Sequence, residues 1–206
     1  YFKVILPCLF WEIKKEDLKG KLICFPTDTV YGIIADATNE EAVRKVYFAK
    51  HRSFSKPLSI MVSSIDMLRR YVKDISSVEQ KLIEKYWPGR LTILFKKNNE
   101  ISNLLTNGGE YIGIRLPDNK DLCVLMNMLN KPLISTSANI SDNMTITDIT
   151  MLEDELKNNI SYIVDGGVLT DLRVITPGAI LSIGRVLFDS IAPSPSIGCP
   201  SGFTTL

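Results

Sequence analysis

A chain of 206 residues with 24 Lys and Arg against 23 Asp and Glu has a formal net charge of +1, so no global field draws it to nucleic acid. Hydrophobic residues make up 45% and charged residues 23%, which excludes a disordered chain and fits one globular domain with a sizeable core. Cys8, Cys24, Cys123 and Cys199 form no Cys-x-x-Cys pair, which argues against structural zinc and for a reducing compartment.

No apolar run is long enough to span a membrane. Tyr1–Leu6 lacks the charged n-region and long apolar stretch of a signal peptide, so a cytoplasmic protein is expected. The chain opens without Met.

Taken in chain order, Trp11–Leu18 reads as a short helix closed by Gly20. Leu22–Phe25 is an apolar run suited to a buried strand, ended by Pro26, which has no N–H for a ladder. A polar loop follows, with Thr27, Asp28, Thr29 and Tyr31, and Gly32 permits a turn or close approach to a ligand. Thr38-x-x-Glu41 predicts a capping box, and Ala42, Val43, Val46 and Tyr47 predict a helix over 39–50. Leu58–Val62 reads as a strand, and Met67, Leu68 and Tyr71 as a short helix. Ser77-x-x-Gln80 predicts another cap, for a helix with Val78, Leu82, Ile83 and Tyr86 on one face. Pro88-Gly89 stops it, and strands are expected at Leu91–Phe95 and Tyr111–Leu116, with a Gly108-Gly109 turn between.

Leu122, Leu125, Met126 and Leu129 mark a core-facing helix. Leu133-Ile134 begins a short strand that ends in the hydroxyl-rich Ser135-Thr136-Ser137-Ala138-Asn139. Met151–Lys157 reads as a helix, Tyr162–Val164 as a strand and Asp165-Gly166-Gly167 as a turn. Apolar runs at Ala179–Leu181 and Val186–Phe188 flank Gly184 and suit a hairpin. The predicted domain covers 1–190, and the Pro-, Gly- and Ser-rich residues 191–206 read as an irregular tail. Short hairpin-like joints among alternating strands and helices favour a mixed α/β sheet over a doubly wound parallel one. Neither Gly-x-Gly-x-x-Gly nor a Walker A pattern occurs, so a nucleotide would be held another way.

The candidate chemistry is cationic and hydroxylic. Lys50, Arg52 and Lys56 sit at a helix end and in the loop after it. Arg offers a bidentate fork for phosphate and Lys a mobile point charge, although a solvated helix C-terminus favours the same residues. Ser135 to Asn139 offers either a hydroxyl-lined anion pocket or an ordinary turn. Arg115 interrupts a run otherwise suited to a buried strand. A buried guanidinium needs an anion, either a structural one such as Asp28 or a substrate carboxylate. His51, the one histidine, supports neither a metal cluster nor a Ser–His–Asp set and reads as solvent-facing; Trp11 and Trp87 read as packing residues.

In one order, Pro26-Thr-Asp-Thr-Val-Tyr-Gly32, Lys50-x-Arg52, Lys56-Pro-Leu58, Pro88-Gly-x-Leu-Thr92, Gly113-Ile-Arg-Leu-Pro117, Ser135-Thr-Ser-Ala-Asn139 and Asp165-Gly-Gly167 resemble the YrdC-like family of threonylcarbamoyl-adenylate synthases. The resemblance implies a YrdC/RibB-like α/β fold: a twisted mixed parallel/antiparallel sheet flanked by helices, with a concave basic cavity. It implies conversion of L-threonine, bicarbonate and ATP to threonylcarbamoyl-AMP and pyrophosphate, with Mg2+ accompanying ATP and no protein-held metal. That product serves the modification of tRNA next to the anticodon, which makes tRNA or a threonylcarbamoyl-transferase complex the expected partners. Lys50 and Arg52 are the implied catalytic cations. Lys50, Arg52, Lys56, Tyr111, Ser137, Asn139 and Thr145 are implied for ATP, and Thr29, Arg115 and Ser135 for threonine.

This chain departs from the family pattern in places. Met61 stands where some relatives have a His, and Ser141-Asp142-Asn143-Met144-Thr145 replaces a Ser-Gly-x-Pro-Ser run. In the C-terminal part, Thr176-Pro177-Gly178 and Phe188-Asp189 are the nearest alignment to an Arg-Pro-Gly motif. Two alternatives share the fold. One is an RNA- or tRNA-binding relative without synthase activity; the other is a carbamoyl-adenylate-forming domain of hydrogenase maturation. The amino-acid clamp argues against the first, and the lack of zinc-finger-like cysteines argues against the second.

Overall fold

The computed structural model describes residues 3–5, 16 and 20–170, and the backbone of 180–181. The readings at Trp11–Leu18, Val186–Phe188, Thr176–Gly178 and the boundary at 190 lie outside the described residues.

Among the described residues nine strands form one sheet: β1 (Lys3–Ile5), β2 (Ile23–Pro26), β3 (Tyr31–Ile34), β4 (Ser59–Met61), β5 (Thr92–Lys96), β6 (Tyr111–Arg115), β7 (Leu133–Ser137), β8 (Tyr162–Val164) and β9 (Ile180–Leu181). Their order is β1-β8-β2-β3-β7-β4-β6-β5-β9. Four pairs are parallel (β1/β8, β2/β8, β4/β6, β5/β9) and four antiparallel (β2/β3, β3/β7, β4/β7, β5/β6), so the mixed sheet is as expected. Ile180–Leu181 extends the far edge, parallel to β5.

The helices are α1 (Glu40–Ala49), α2 (Ile65–Arg69), α3 (Ser77–Tyr86), α4 (Asn103–Thr106), α5 (Lys120–Leu129) and α6 (Asp154–Lys157), with a 3-10 turn at Ile149–Met151. Two predicted caps are displaced by one residue. Asn39, not Thr38, accepts the Ala42 N–H, because Thr38 donates both its N–H and its hydroxyl to Asp36. Ser76, not Ser77, forms the capping box, with Glu79 reaching back to its N–H. Val78 is exposed, while Leu82 and Ile83 pack inward. The single helix expected over Met151–Lys157 is broken into the 3-10 turn and α6 at Leu152–Glu153.

Along β5 and most of β6 buried side chains alternate with more exposed ones, whereas β3 is buried on both faces. Ile60, Ile93, Ile112, Ile114 and Ile134 are buried on one face. Each such side chain contributes about 1.5–3 kcal/mol relative to exposure. The other face carries Ser59 paired with Ser135, Gly32 paired with Ser137, and Gly113 paired with Leu94. These short side chains make a shallow floor. A Cβ on Gly113 would meet Thr92 Cγ2 at 3.1 Å and Ser59 Cβ at 3.3 Å, so anything larger would fill it.

Candidate active site

Two hollows open beside this floor. One, of about 820 Å³, is lined by Arg52, Lys56, Tyr111, Ser135 and Thr136 together with the apolar Pro57, Leu58, Leu94 and Ile112. The other, of about 580 Å³, lies at the β2–β3 tip, against Thr27, Asp28, Thr29, Arg90 and Asp118. No residue lines both. Strands β6 and β7 connect the two neighbourhoods.

At the C-terminal end of α1 the chain turns sharply through His51, whose φ is +49°. Just before that turn, Lys50 continues the buried face of α1 one turn after Val46 and Tyr47, and it is 1% exposed. Its ammonium donates to the carbonyls of Ser137 and Asn139, and reaches Asn139 Oδ1 at 3.5 Å. Thus Lys50, Ser137 and Asn139 meet, but the lysine charge is spent on the end of β7. Burial first, then the nearby Arg52 charge, push the ammonium down to about 8, against an opposing pull from Glu153. Asn139 completes the knot by donating Nδ2 to the carbonyls of Ile140 and Asn143.

Arg52 points the other way, to the rim of the larger hollow. Its Nε donates to Lys56 O at 3.1 Å and its Nη2 to Pro57 O at 2.8 Å, which shapes the loop carrying Lys56. Lys56 is exposed and pairs with Asp142 at 3.2 Å. Tyr111 is half-exposed beside it. His51 pairs with Glu155 at 3.0 Å on the surface, as its solvent-facing reading implied.

Arg115 is 7% exposed on β6. Its Nη1 donates to both Asp28 oxygens at 3.0 Å, and its Nη2 lies 3.6 Å from Met61 Sδ. Of the two partners open in the sequence, Asp28 is the one seen. This pair crosses from the β2–β3 tip to β6, and so fixes the turn that bears Thr29. That turn is also held internally, because Thr27 Oγ1 donates to Val30 O and lies 3.0 Å from Thr29 Oγ1. Arg90 Nη2 donates to Asp28 O at 3.2 Å.

Thr145 is exposed and lines neither hollow. Its neighbour Ile146 accepts the Tyr31 N–H, which ties that loop to β3. Glu153 and Arg90, absent from the sequence-derived set, both contact site segments; a Glu in an acidic helix start and an Arg after Pro-Gly give no local signal. Among the described residues no group of three His, Cys, Asp or Glu side chains forms a cation cage. Burial pushes the Cys24 thiol up to about 12 and also raises Cys123, so neither is a ready thiolate nucleophile. The arrangement therefore offers cation-assisted binding and positioning rather than covalent catalysis.

Known proteins resemble this chain in sequence and in fold. A family profile described as "Telomere recombination" (Sua5_yciO_yrdC) matches residues 18–177. A protein of Methanocaldococcus jannaschii is 41% identical over 155 residues, covering 75% of this chain and 72% of that protein. The threonylcarbamoyl-AMP synthase of Pyrococcus abyssi is 33% identical, over 72% of this chain but 44% of its own length. The corresponding Bacillus subtilis protein is 33% identical over 72% of this chain and 43% of its own length. The match therefore spans less than half of these two longer relatives. The structure of P. abyssi Sua5 complexed with L-threonine superposes with a TM-score of 0.73 at 28% identity, covering 82% of this chain and 51% of that one. No helix among the described residues is long and apolar enough to cross a membrane. With a matching profile over most of its length and a relative 41% identical along 72% of that protein, this chain belongs to the Sua5/YciO/YrdC family.

Proposed function

We propose that the chain is a threonylcarbamoyl-AMP synthase domain that joins L-threonine, bicarbonate and ATP and releases pyrophosphate. The observation that carries the reading is the convergence of Arg52, Lys56, Tyr111 and Ser135 on one hollow, in a family whose named members are synthases. The neutral threonine amine and bicarbonate condense, by way of carbon dioxide, to a carbamate and one water, which carries off the amine proton and the bicarbonate oxygen. A carbamate oxygen then forms a bond to the α-phosphorus of ATP, and the bond to the pyrophosphate oxygen breaks. Both reactants are anions, so the site must offset their repulsion.

Arg52 and Lys56 supply that charge at the rim. Lys50 acts from beneath, through the backbone that carries Ser137 and Asn139. Tyr111 lines the nucleotide side, and Thr145 is assigned to it from the exposed loop outside the hollow. On the amino-acid side, which bridges the two hollows, Arg115 takes the carboxylate, with Thr29 at the smaller hollow and Ser135 at the larger one on the polar groups. Arg115 keeps Nη1 on Asp28, which leaves the Nη2 edge, now facing only a weak thioether acceptor, for the ligand. Holding the two reactants in line supplies much of the remaining rate. We assign Mg2+ to the triphosphate oxygens, as part of the nucleotide rather than a resident of the protein. The product then passes to tRNA modification, in the cytoplasm, through tRNA or a transferase complex.

Pyrophosphate release tests this directly. It should require both bicarbonate and threonine and should fail with valine, because a site built to bond a hydroxyl rejects an isostere lacking it. Arg52→Ala should abolish release, and Arg115→Ala should raise the threonine concentration needed. Normal turnover in both variants would remove the site assignment. RNA retention that weakens steeply with salt, without any pyrophosphate, would favour the RNA-binding alternative.

A further inference from the structure

Beneath the nucleotide side, the segment Asn139–Asn143 carries an unusual density of contacts. Glu153 stands at the N-cap position of α6 yet makes no cap bond to its own helix. Its carboxylate instead crosses to this segment, where Oε2 accepts the Ile140 N–H at 2.7 Å and Oε1 accepts Asn143 Nδ2 at 2.5 Å. The Lys50 ammonium holds the same segment from the opposite end, through Ser137 O and Asn139 O, and the Ser141 N–H returns a bond to Lys50 O. Asn139 Nδ2 bridges the two by donating to Ile140 O and Asn143 O. Asp142, at φ +72°, is presented outward by this closed circuit and pairs with Lys56 at the rim of the larger hollow.

We propose that Glu153 is a positioning residue for the nucleotide side of the site. It does not line the hollow. It fixes the Asn139–Asn143 loop, and through Asp142 the resting place of Lys56, and its charge favours the protonated form of Lys50. The carboxylate accepts from both the Ile140 N–H and the Asn143 amide; a glutamine would keep both bonds only if the Asn143 amide turned to present its Oδ1, and it would lose the charge. Charge-assisted bonds of this kind are also roughly twice as strong as neutral ones. The inference rests on the synthase reading, since it takes the hollow above the loop to be the nucleotide site.

The test compares wild type with Glu153→Gln and Glu153→Ala, using binding of Mg-ATP by calorimetry and, separately, the threonine and ATP dependences of pyrophosphate release. The expected result is a 5- to 20-fold weaker ATP affinity in Glu153→Gln, at an unchanged threonine KM. Glu155→Gln, which removes a carboxylate two residues away, should leave both unchanged. An equal fall in all parameters that follows the loss of thermal stability, or an unchanged ATP affinity, would overturn the positioning role. Wild-type protein that binds ATP but never releases pyrophosphate would count against the synthase reading and still leave the clamp testable by binding. Wild type with no affinity for ATP would overturn both.

Discussion

Among the described residues two cations are buried, Lys50 and Arg115, and the fold accommodates them in opposite ways. Lys50 is surrounded by neutral acceptors, the carbonyls of Ser137 and Asn139 and an amide oxygen, with its nearest carboxylate, Glu153, engaged elsewhere. Arg115 has a full counter-charge, since both Asp28 oxygens contact one of its nitrogens. The first arrangement ties a loop to a helix end by dipoles. The second pins a hairpin tip to a strand across the sheet by charge. The contrast teaches that the two substrate sides of the hollow are stiffened independently, so damage to each should be separable.

The largest effect is expected at the charged pair. Asp28→Asn leaves a buried guanidinium without its anion, which costs about 3–5 kcal/mol. Denaturant unfolding should show it as a lower midpoint at an unchanged slope. A loss below about 1 kcal/mol would mean that water already compensates the pair.

Next comes Lys50. Lys50→Met keeps the stem but leaves buried carbonyls without a donor, each at about 1–3 kcal/mol. It should weaken ATP binding while sparing threonine binding, the opposite of Arg115→Ala. The pH response carries its own sign. The folded-state value, about 8, lies below the ordinary 10.5, so between the two the unfolded chain binds more protons. The desolvation penalty on Lys50 is present below about 8 and is relieved as pH rises through that window. Wild-type stability should therefore gain on that of Lys50→Met from about pH 8 to 10.5, as read from unfolding free energies across that range. A flat difference would contradict the buried charge.

The smallest effect is expected at Lys56–Asp142, an exposed pair at 3.2 Å. Asp142→Asn should change stability by less than about 1 kcal/mol. Its use is to show whether Lys56 must leave Asp142 for phosphate, in which case ATP affinity should rise slightly in the variant. Titration of ATP into both proteins reads it.

Much of this was legible in the chain. The buried Arg115 and its candidate partner Asp28 followed from one charge in an apolar run. Lys50, Ser137 and Asn139 were grouped by resemblance and do meet. What the sequence hid was direction. Lys50 and Arg52 are two residues apart, yet Lys50 continues the buried face of α1 after Val46 and Tyr47, while Arg52, beyond the left-handed His51, turns to the rim. Strand β3 begins at Tyr31, inside the polar run that reads as loop. Of the two readings open for Gly32, a turn or a close approach, the structure shows a close approach, to the protein's own atoms: a Cβ there would lie 3.1 Å from Thr27 Cγ2 and 3.2 Å from Thr136 O. The displaced caps at Asn39 and Ser76 have a similar cause. Adjacent polar residues compete for the same N–H groups, and three-dimensional context chooses between them. Glu153 was invisible for a different reason: its partners are a backbone N–H and an amide ten or more residues away.

The central claim is that bicarbonate carbon, threonine and the adenylate come together in this hollow. Incubation with labelled bicarbonate, threonine and ATP, followed by isolation of the nucleotide product, tests it most directly. The account predicts an adenylate that carries threonine and the bicarbonate label together, formed with pyrophosphate. An adenylate of threonine without the label, or ATP recovered intact, would contradict it.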